Sequence, residues 1–190
     1  ANSPGNVPET DCHWVDSNGD LWLFNDLSGV LWKYDTGIDQ WVWISGTPGG
    51  AQSLGGLGVY AANNQPGANS NCPMMGTLWC MWQDADDGLW MIYNMDQGAN
   101  VAAQLWRYDI GLGQWACMRT DQAPYGEYAQ PHGAQCVEDA THAPVARGEL
   151  RMRWVDDCDR LWIHGGVPMC SPSSYFADLW RYDPITNDWT

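Results

Sequence analysis

The five residues Leu31-Trp32-Lys33-Tyr34-Asp35 return twice further along the chain, as Leu105-Trp106-Arg107-Tyr108-Asp109 and as Leu179-Trp180-Arg181-Tyr182-Asp183. In each copy the motif tryptophan is followed nine positions later by another tryptophan. These later tryptophans are Trp41, Trp115 and Trp189. Three copies with one internal spacing indicate a repeat architecture rather than a chance likeness.

A pair of tryptophans eight residues apart precedes each copy of the motif. The units begin at residues 14, 82 and 154, so that successive units are 68 and 72 residues apart and differ in their loops. We predict one repeat domain over residues 1–190, with units at about 12–46, 78–118 and 150–190 joined by loops 47–77 and 119–149. The tryptophan pairs are Trp14 with Trp22, Trp82 with Trp90, and Trp154 with Trp162.

Each unit has the pattern of four short strands. In the first unit we expect strands around Trp14 and over 20–24, 30–34 and 40–44, with a tight turn at 16–19. Four strands joined by turns predict one antiparallel sheet per unit and an all-β fold. A single sheet cannot bury both faces, so we expect the units to stack. We also expect the motif tryptophan to share a face with the basic residue, whose aliphatic stem lies along it: Lys33, Arg107 or Arg181.

The composition argues against several functional classes. With 23 acidic and 8 basic residues the formal net charge is −15, so a polyanion such as nucleic acid would be repelled. No apolar run approaches the roughly 20 residues of a membrane-spanning helix, so membrane insertion is not expected. The four histidines share no metal-ligand spacing, and nucleotide-binding and nucleophile motifs do not occur. We therefore predict neither an enzyme nor a bound cofactor.

The seven cysteines lack a paired CxxC arrangement, which favours disulfide bonds over a zinc site. Disulfide bonds in turn predict an extracellular or cell-surface protein. One preferred pair brackets the second long loop, another flanks the second strand of the third unit, and Cys12 is left over. The candidate pairs are Cys117 with Cys136, Cys158 with Cys170, and as a further candidate Cys72 with Cys80.

The turns of the first two units carry carboxylates at alternate positions, as a calcium-binding loop does. Asp, Asn and Gly are also the residues that a hairpin turn needs, and no bidentate glutamate follows, so we favour a purely structural turn. The weak calcium candidates are Asp16, Asn18, Asp20, Asp84 and Asp86.

The repeated motif resembles the kelch repeat, in which a tyrosine and a tryptophan stand at the separation of Tyr34 and Trp41. The resemblance is closest to the long-repeat kelch proteins of secreted or surface-exposed microbial type, and it implies that each unit is a β-propeller blade. The family's double glycine occurs once, as Gly165-Gly166. Propellers typically close with four to eight blades, so three blades predict part of a longer propeller, a ring closed by several copies, or a filament.

These observations predict an extracellular structural or interaction module, most sharply a self-assembling filament or surface-layer subunit. The alternative is a propeller fragment that binds a glycan or a surface protein. Its ligand would contact aromatic residues that the repeat does not explain, namely Tyr60, Tyr125 and Tyr128. A copper oxidase with kelch-like blades is the function we favour least, because the copper ligands of such enzymes cannot be matched in this sequence.

Overall fold

The computed structural model of the chain describes residues 3–5, 12–25, 28–46, 65–67, 77–96, 100–124, 134–138, 140–148, 152–168 and 175–190. These residues form fourteen β-strands and no helix. No helix long and apolar enough to cross a membrane occurs in this part of the chain. The all-β fold class is therefore confirmed.

Strands of the first two units form two four-stranded antiparallel sheets in simple chain order. Sheet 1 contains β1 (His13–Val15), β2 (Leu21–Asn25), β3 (Val30–Asp35) and β4 (Gln40–Ser45). Sheet 2 contains β5 (Thr77–Gln83), β6 (Leu89–Asp96), β7 (Asn100–Asp109) and β8 (Gln114–Pro124).

The third unit forms sheet 3, and one of its short strands pairs with a strand of the preceding loop. In chain order the strands from this loop onwards are β9 (Arg147–Gly148), β10 (Met152–Val155), β11 (Leu161–His164), β12 (Val167–Pro168), β13 (Leu179–Asp183) and β14 (Asp188–Trp189). Sheet 3 has the order β10-β11-β13-β14, while β9 pairs with β12. Each predicted unit thus contains one four-stranded antiparallel sheet.

Strand register gives every sheet two distinct faces. The two tryptophans that stand eight residues apart in each unit are direct cross-strand partners. The basic residue of the motif is paired with the second of them on the next strand, so the three side chains form a row across the sheet. We call the face that carries this row the front face. The rows are Trp14-Trp22-Lys33, Trp82-Trp90-Arg107 and Trp154-Trp162-Arg181.

The expectation that the motif tryptophan shares a face with the basic residue is wrong. Successive residues of a strand face opposite sides, so the tryptophan and tyrosine of the motif, two positions apart, lie together on the other face, which we call the back face. In sheet 2, Trp106 and Tyr108 pack towards sheet 1, whereas the Arg107 guanidinium carbon lies 5.9 Å from the ring centre of Trp90 on the front face. The basic residue therefore covers a tryptophan of the neighbouring strand.

The three sheets stack front face on back face. Tyr108 of sheet 2 contacts Trp22 of sheet 1 with ring centres 6.0 Å apart, and Tyr182 of sheet 3 contacts Trp90 of sheet 2 at 5.7 Å. Two apolar clusters fill these interfaces, one between sheets 1 and 2 and the other between sheets 2 and 3. The predicted stacking of units is how the tryptophans become buried.

The second long loop is anchored to sheet 3 by a buried ion pair that the repeat does not reveal. Arg147 is 1% exposed, and its two terminal nitrogens donate to the two carboxylate oxygens of Asp178 at 2.6 and 3.0 Å. It also donates to the carbonyl oxygens of Gly165 at 2.9 Å and Val145 at 3.1 Å, and its guanidinium carbon lies 4.3 Å from the Phe176 ring centre. This contact ties residues 143–148 to the third unit.

The two preferred disulfide bonds are absent from the structure. Cys117 is buried between sheets 1 and 2, whereas Cys136 is exposed beside sheet 3, so the two sulfurs face different parts of the molecule. Cys158 is an exposed thiol in the turn between β10 and β11, which directs it to solvent. Cys170 and Cys72 lie outside the described residues, as does the side chain of Cys80, so the Cys72–Cys80 pair stays a prediction.

Candidate functional site

The front face of sheet 3 is open to solvent, although its residues repeat those that the other two sheets bury. Trp154 is 42% exposed and Leu179 is 51% exposed, whereas the equivalent tryptophans Trp14 and Trp82 are almost completely buried. Trp154 and Trp162 stack with their ring planes 6° from parallel and their ring centres 5.6 Å apart. Arg181 covers the row, with its guanidinium carbon 5.9 Å from the Trp162 ring centre. An aromatic platform is thus presented at one end of the stack.

The back face of sheet 1 is the corresponding open face at the other end, although its motif tryptophan Trp32 is only 8% exposed. Trp43 is 49% exposed and Leu21 is 44% exposed, and both lie in register with the motif residues Trp32 and Tyr34. The rings of Tyr34 and Trp41 meet edge to face at 5.3 Å. The equivalent pairs on the other two sheets are buried, because each has a front face packed over it.

A cleft of about 470 Å³ borders the open front face of sheet 3. Its walls include Cys136, Val137, Trp162 and Leu179. The carboxylate of Glu138 accepts a hydrogen bond from Arg181 at 2.9 Å. Arg181 Nε is buried, and no described group accepts its hydrogen. The cleft therefore combines apolar walls with a guanidinium whose hydrogen-bonding capacity is not filled.

The aspartate that begins each β1–β2-type turn holds that turn together. In the three sheets its carboxylate accepts a hydrogen bond from the indole of the second-strand tryptophan, at 2.8, 2.7 and 2.9 Å. It also accepts backbone amides two and four residues ahead. Burial opposes ionisation of the third-sheet carboxylate, but these donors and Arg160 lower its pKa to about 2. The three aspartates are Asp16, Asp84 and Asp156.

Three of the carboxylates predicted as weak calcium candidates, those of Asp16, Asp20 and Asp84, accept hydrogen bonds within the protein. Asp20 accepts hydrogen bonds from Lys33 at 2.7 Å and from the amide and hydroxyl of Thr36, and the Lys33 contact leads the lowering of its pKa to about 2. Burial raises the pKa of Asp84, but hydrogen bonds from Arg107 at 2.7 Å, from Trp90 and from the Gly88 amide outweigh it, so the pKa lies below its ordinary value. Among the described residues no three His, Cys, Asp or Glu side chains are grouped as a metal site requires.

The same turns form hydrogen bonds between neighbouring sheets, which the sequence analysis missed. The backbone amide of Ser17 donates to Asp87 at 3.0 Å, and the amide of Ala85 donates to Asp159 at 3.1 Å. The hydroxyl of Ser17 also donates to Asp87. Each acceptor is the fourth residue of its turn and has a positive φ, and the first turn has Gly19 at that position. We call this contact the turn clasp.

The remaining predicted site residues divide into two groups. Most repeat tryptophans and tyrosines are buried, Trp32 among them, whereas Trp154 is exposed. The three aromatic residues predicted to contact a ligand, Tyr60, Tyr125 and Tyr128, lie outside the described residues. The open faces could have been located from sequence only by knowing the stacking order.

Comparison with known sequences gives no relative for this chain. No known protein family matches it, and no curated protein is similar to it.

Proposed function

We propose that this chain is an extracellular or cell-surface structural module made of kelch-like blades, and that it works by joining further blades through the open ends of its sheet stack. One observation carries this function: a tryptophan row that two sheets bury is exposed in the third. This row has the same register as the two buried rows and a basic residue at the same position, so a second sheet could pack on it as one packs on each of them. The paired positive φ angles of Gly165 and Gly166, 71° and 105°, also suit the double glycine of a kelch-like blade.

The exposed apolar residues of the front face of sheet 3 supply a driving force for association. Burying one large apolar side chain contributes about 1.5–3 kcal/mol, and the front face of sheet 3 exposes Met152, Trp154 and Leu179. Association costs about 4–15 kcal/mol in lost freedom of motion, so these three side chains alone are insufficient. A partner that buries an equal apolar surface of its own would double this contribution to about 9–18 kcal/mol, a range whose midpoint exceeds that of the association cost.

The test is the mass of the protein in solution at concentrations from about 1 to 100 µM, measured by sedimentation velocity. We expect the mean mass to rise with concentration and Trp154→Ser to abolish the rise. Leu112→Ser is the matched control, because Leu112 is an exposed apolar residue in the β7–β8 turn, away from both open faces. A wild-type protein that stays monomeric throughout, with native near-ultraviolet circular dichroism, would contradict self-association.

A glycan-binding function is the second candidate, and the stacked Trp154–Trp162 pair favours it. A sugar ring can stack on an exposed indole, and the neighbouring cleft offers Arg181 and His142 as polar partners. In this case the protein would be retained on immobilised glycans as a monomer, and free sugar would release it. Loss of retention in Trp154→Ala without any change of mass would distinguish this function from self-association.

A further inference from the structure

Building on the proposed function, we infer that the open front face of sheet 3 binds the open back face of sheet 1 in a second copy of this chain. The copies would be joined head to tail. The internal interfaces identify this partner, because both use the same two kinds of face. Each places the tyrosine of one sheet against the second-strand tryptophan of the sheet before it, as Tyr108 on Trp22 and Tyr182 on Trp90. The two aromatic residues left over are Tyr34 and Trp162.

The open back face already has the geometry of its buried equivalents. The Tyr34–Trp41 ring centres are 5.3 Å apart at 63°. The equivalent pairs are 5.0 Å apart at 59° in sheet 2 and 5.2 Å apart at 53° in sheet 3. A face that holds its bound geometry without a partner loses little side-chain freedom on binding. Sheet 1 is therefore preorganised to receive a tryptophan row.

The open front face is equally prepared. Arg181 lies 5.9 Å from the Trp162 ring centre, which is the distance between Arg107 and Trp90 in the buried row. Trp162 also lines the cleft of about 470 Å³. Both halves of a third interface are thus present on one chain, at opposite ends of the stack.

The contact joins unlike faces, so its symmetry differs from that of a two-fold dimer. A two-fold dimer through the front faces would set one tryptophan row against another, which neither internal interface does. Head-to-tail contacts continue from copy to copy and give a ring if the rotation closes, or a filament if it does not. The partner class is therefore a further copy of this chain, added in one direction.

One internal contact would be missing at the junction between copies. The turn clasp would need the amide of Asp157 to donate to the fourth residue of the first turn, which is Gly19 and has no carboxylate. Gly19 has φ +82° with no atom within 4 Å of an added Cβ, and Asp87 and Asp159 adopt positive φ at the same position. Gly19→Asp should therefore complete the clasp and tighten association by about tenfold, measured in buffer of physiological salt to screen the added charge.

Two complementary variants test the direction of assembly. The front-blocked variant carries Trp154→Lys and Leu179→Lys, and the back-blocked variant carries Leu21→Lys and Trp43→Lys. All four residues are exposed, so both variants should keep the wild-type melting temperature. By sedimentation velocity we expect each variant alone to be monomeric and their equimolar mixture to form one heterodimer that grows no further.

Each other result has a distinct meaning. Dimers of the back-blocked variant alone would overturn the inference, because they would show front-to-front pairing. A monomeric mixture together with an associating wild type would also overturn it and would place the contact on another surface, leaving the proposed function intact. A wild type that is monomeric at every concentration would overturn both. Tighter association of Gly19→Asp, absent when Gly19→Asp is combined with the back-blocking changes, would support the head-to-tail contact independently.

Discussion

Replacing Arg147 by methionine should be among the most damaging single changes in the described part of the chain. The side chain is 1% exposed and donates to four acceptors, two of them the carboxylate oxygens of Asp178. Methionine keeps much of the apolar stem but leaves that carboxylate buried without a cation. Removing one partner of a buried ion pair typically costs about 3–5 kcal/mol. At roughly 2–4 °C per kcal/mol for a chain of this size, the melting temperature should fall by about 10 °C.

The pH dependence gives this loss a signature that a simple packing defect lacks. Burial raises the pKa of Asp178, but Arg147 and then Trp180 bring it below its ordinary value in the folded protein. The wild-type pair therefore contributes stability above the ordinary carboxyl pKa and loses it as pH falls through the lowered one. In Arg147→Met burial prevails and the pKa rises above the ordinary value. The destabilisation should therefore shrink as pH falls through the raised pKa of Asp178 in the variant towards the lowered pKa of the wild type.

The assay is urea unfolding at several pH values, with the double variant Arg147→Met/Asp178→Leu as the control. Removing both charges leaves no unpaired charge, although the Trp180 indole and the Gly165 carbonyl each lose one hydrogen bond, so the double variant should recover part of the lost free energy of unfolding. A loss below about 1 kcal/mol in the single variant, or a loss independent of pH, would refute the conclusion that this ion pair anchors the loop.

Three further outcomes are expected. Tyr182→Phe should lower the free energy of urea unfolding by about 1 kcal/mol, because the Tyr182 hydroxyl donates to Asn187 at 2.6 Å. Tyr108→Phe should cost less, because the residue equivalent to Asn187 in sheet 2 is Gly113, which has no side-chain acceptor. Equal losses in the two variants would contradict this reasoning. In native protein, iodoacetamide should label the exposed Cys136 and Cys158 far faster than the buried Cys117, as read by mass spectrometry of peptides; equal rates would refute the described burial. Asp156→Asn should lower the melting temperature at neutral pH, with the difference vanishing as pH falls from about 4 to about 2, because the hydrogen-bonded carboxylate has a lowered pKa; a constant difference would contradict the pKa.

Much of the fold follows from short-range patterns in the sequence. The eight-residue tryptophan spacing predicts two strands around a tight turn, and Trp14 and Trp22 are indeed direct cross-strand partners. The Asp and Gly residues of that turn are explained without a metal, since Asp16 accepts the indole hydrogen of Trp22 at 2.8 Å. These relations lie within a dozen residues and depend on local hydrogen bonds and strand alternation, so they can be read from spacing.

The pairing of cysteines and the anchoring of the long loop could not be read in the same way. Cys117 and Cys136 bracket one loop but point to different interfaces, and sequence separation does not specify such directions. Arg147 finds Asp178 across 31 positions, where no repeated motif marks either residue. Both features depend on how segments distant in sequence are packed.

The sequence by itself determined the number of units, their four strands, the spacing of the tryptophans within each unit and the acidic turns, because each depends on residues close to one another in the chain. The tertiary structure alone decided which row is exposed. Trp14, Trp82 and Trp154 occupy the same place in the same motif, and nothing local distinguishes them. Exposure is set by whether another sheet lies over the row, so it became visible only when the order and direction of stacking were known.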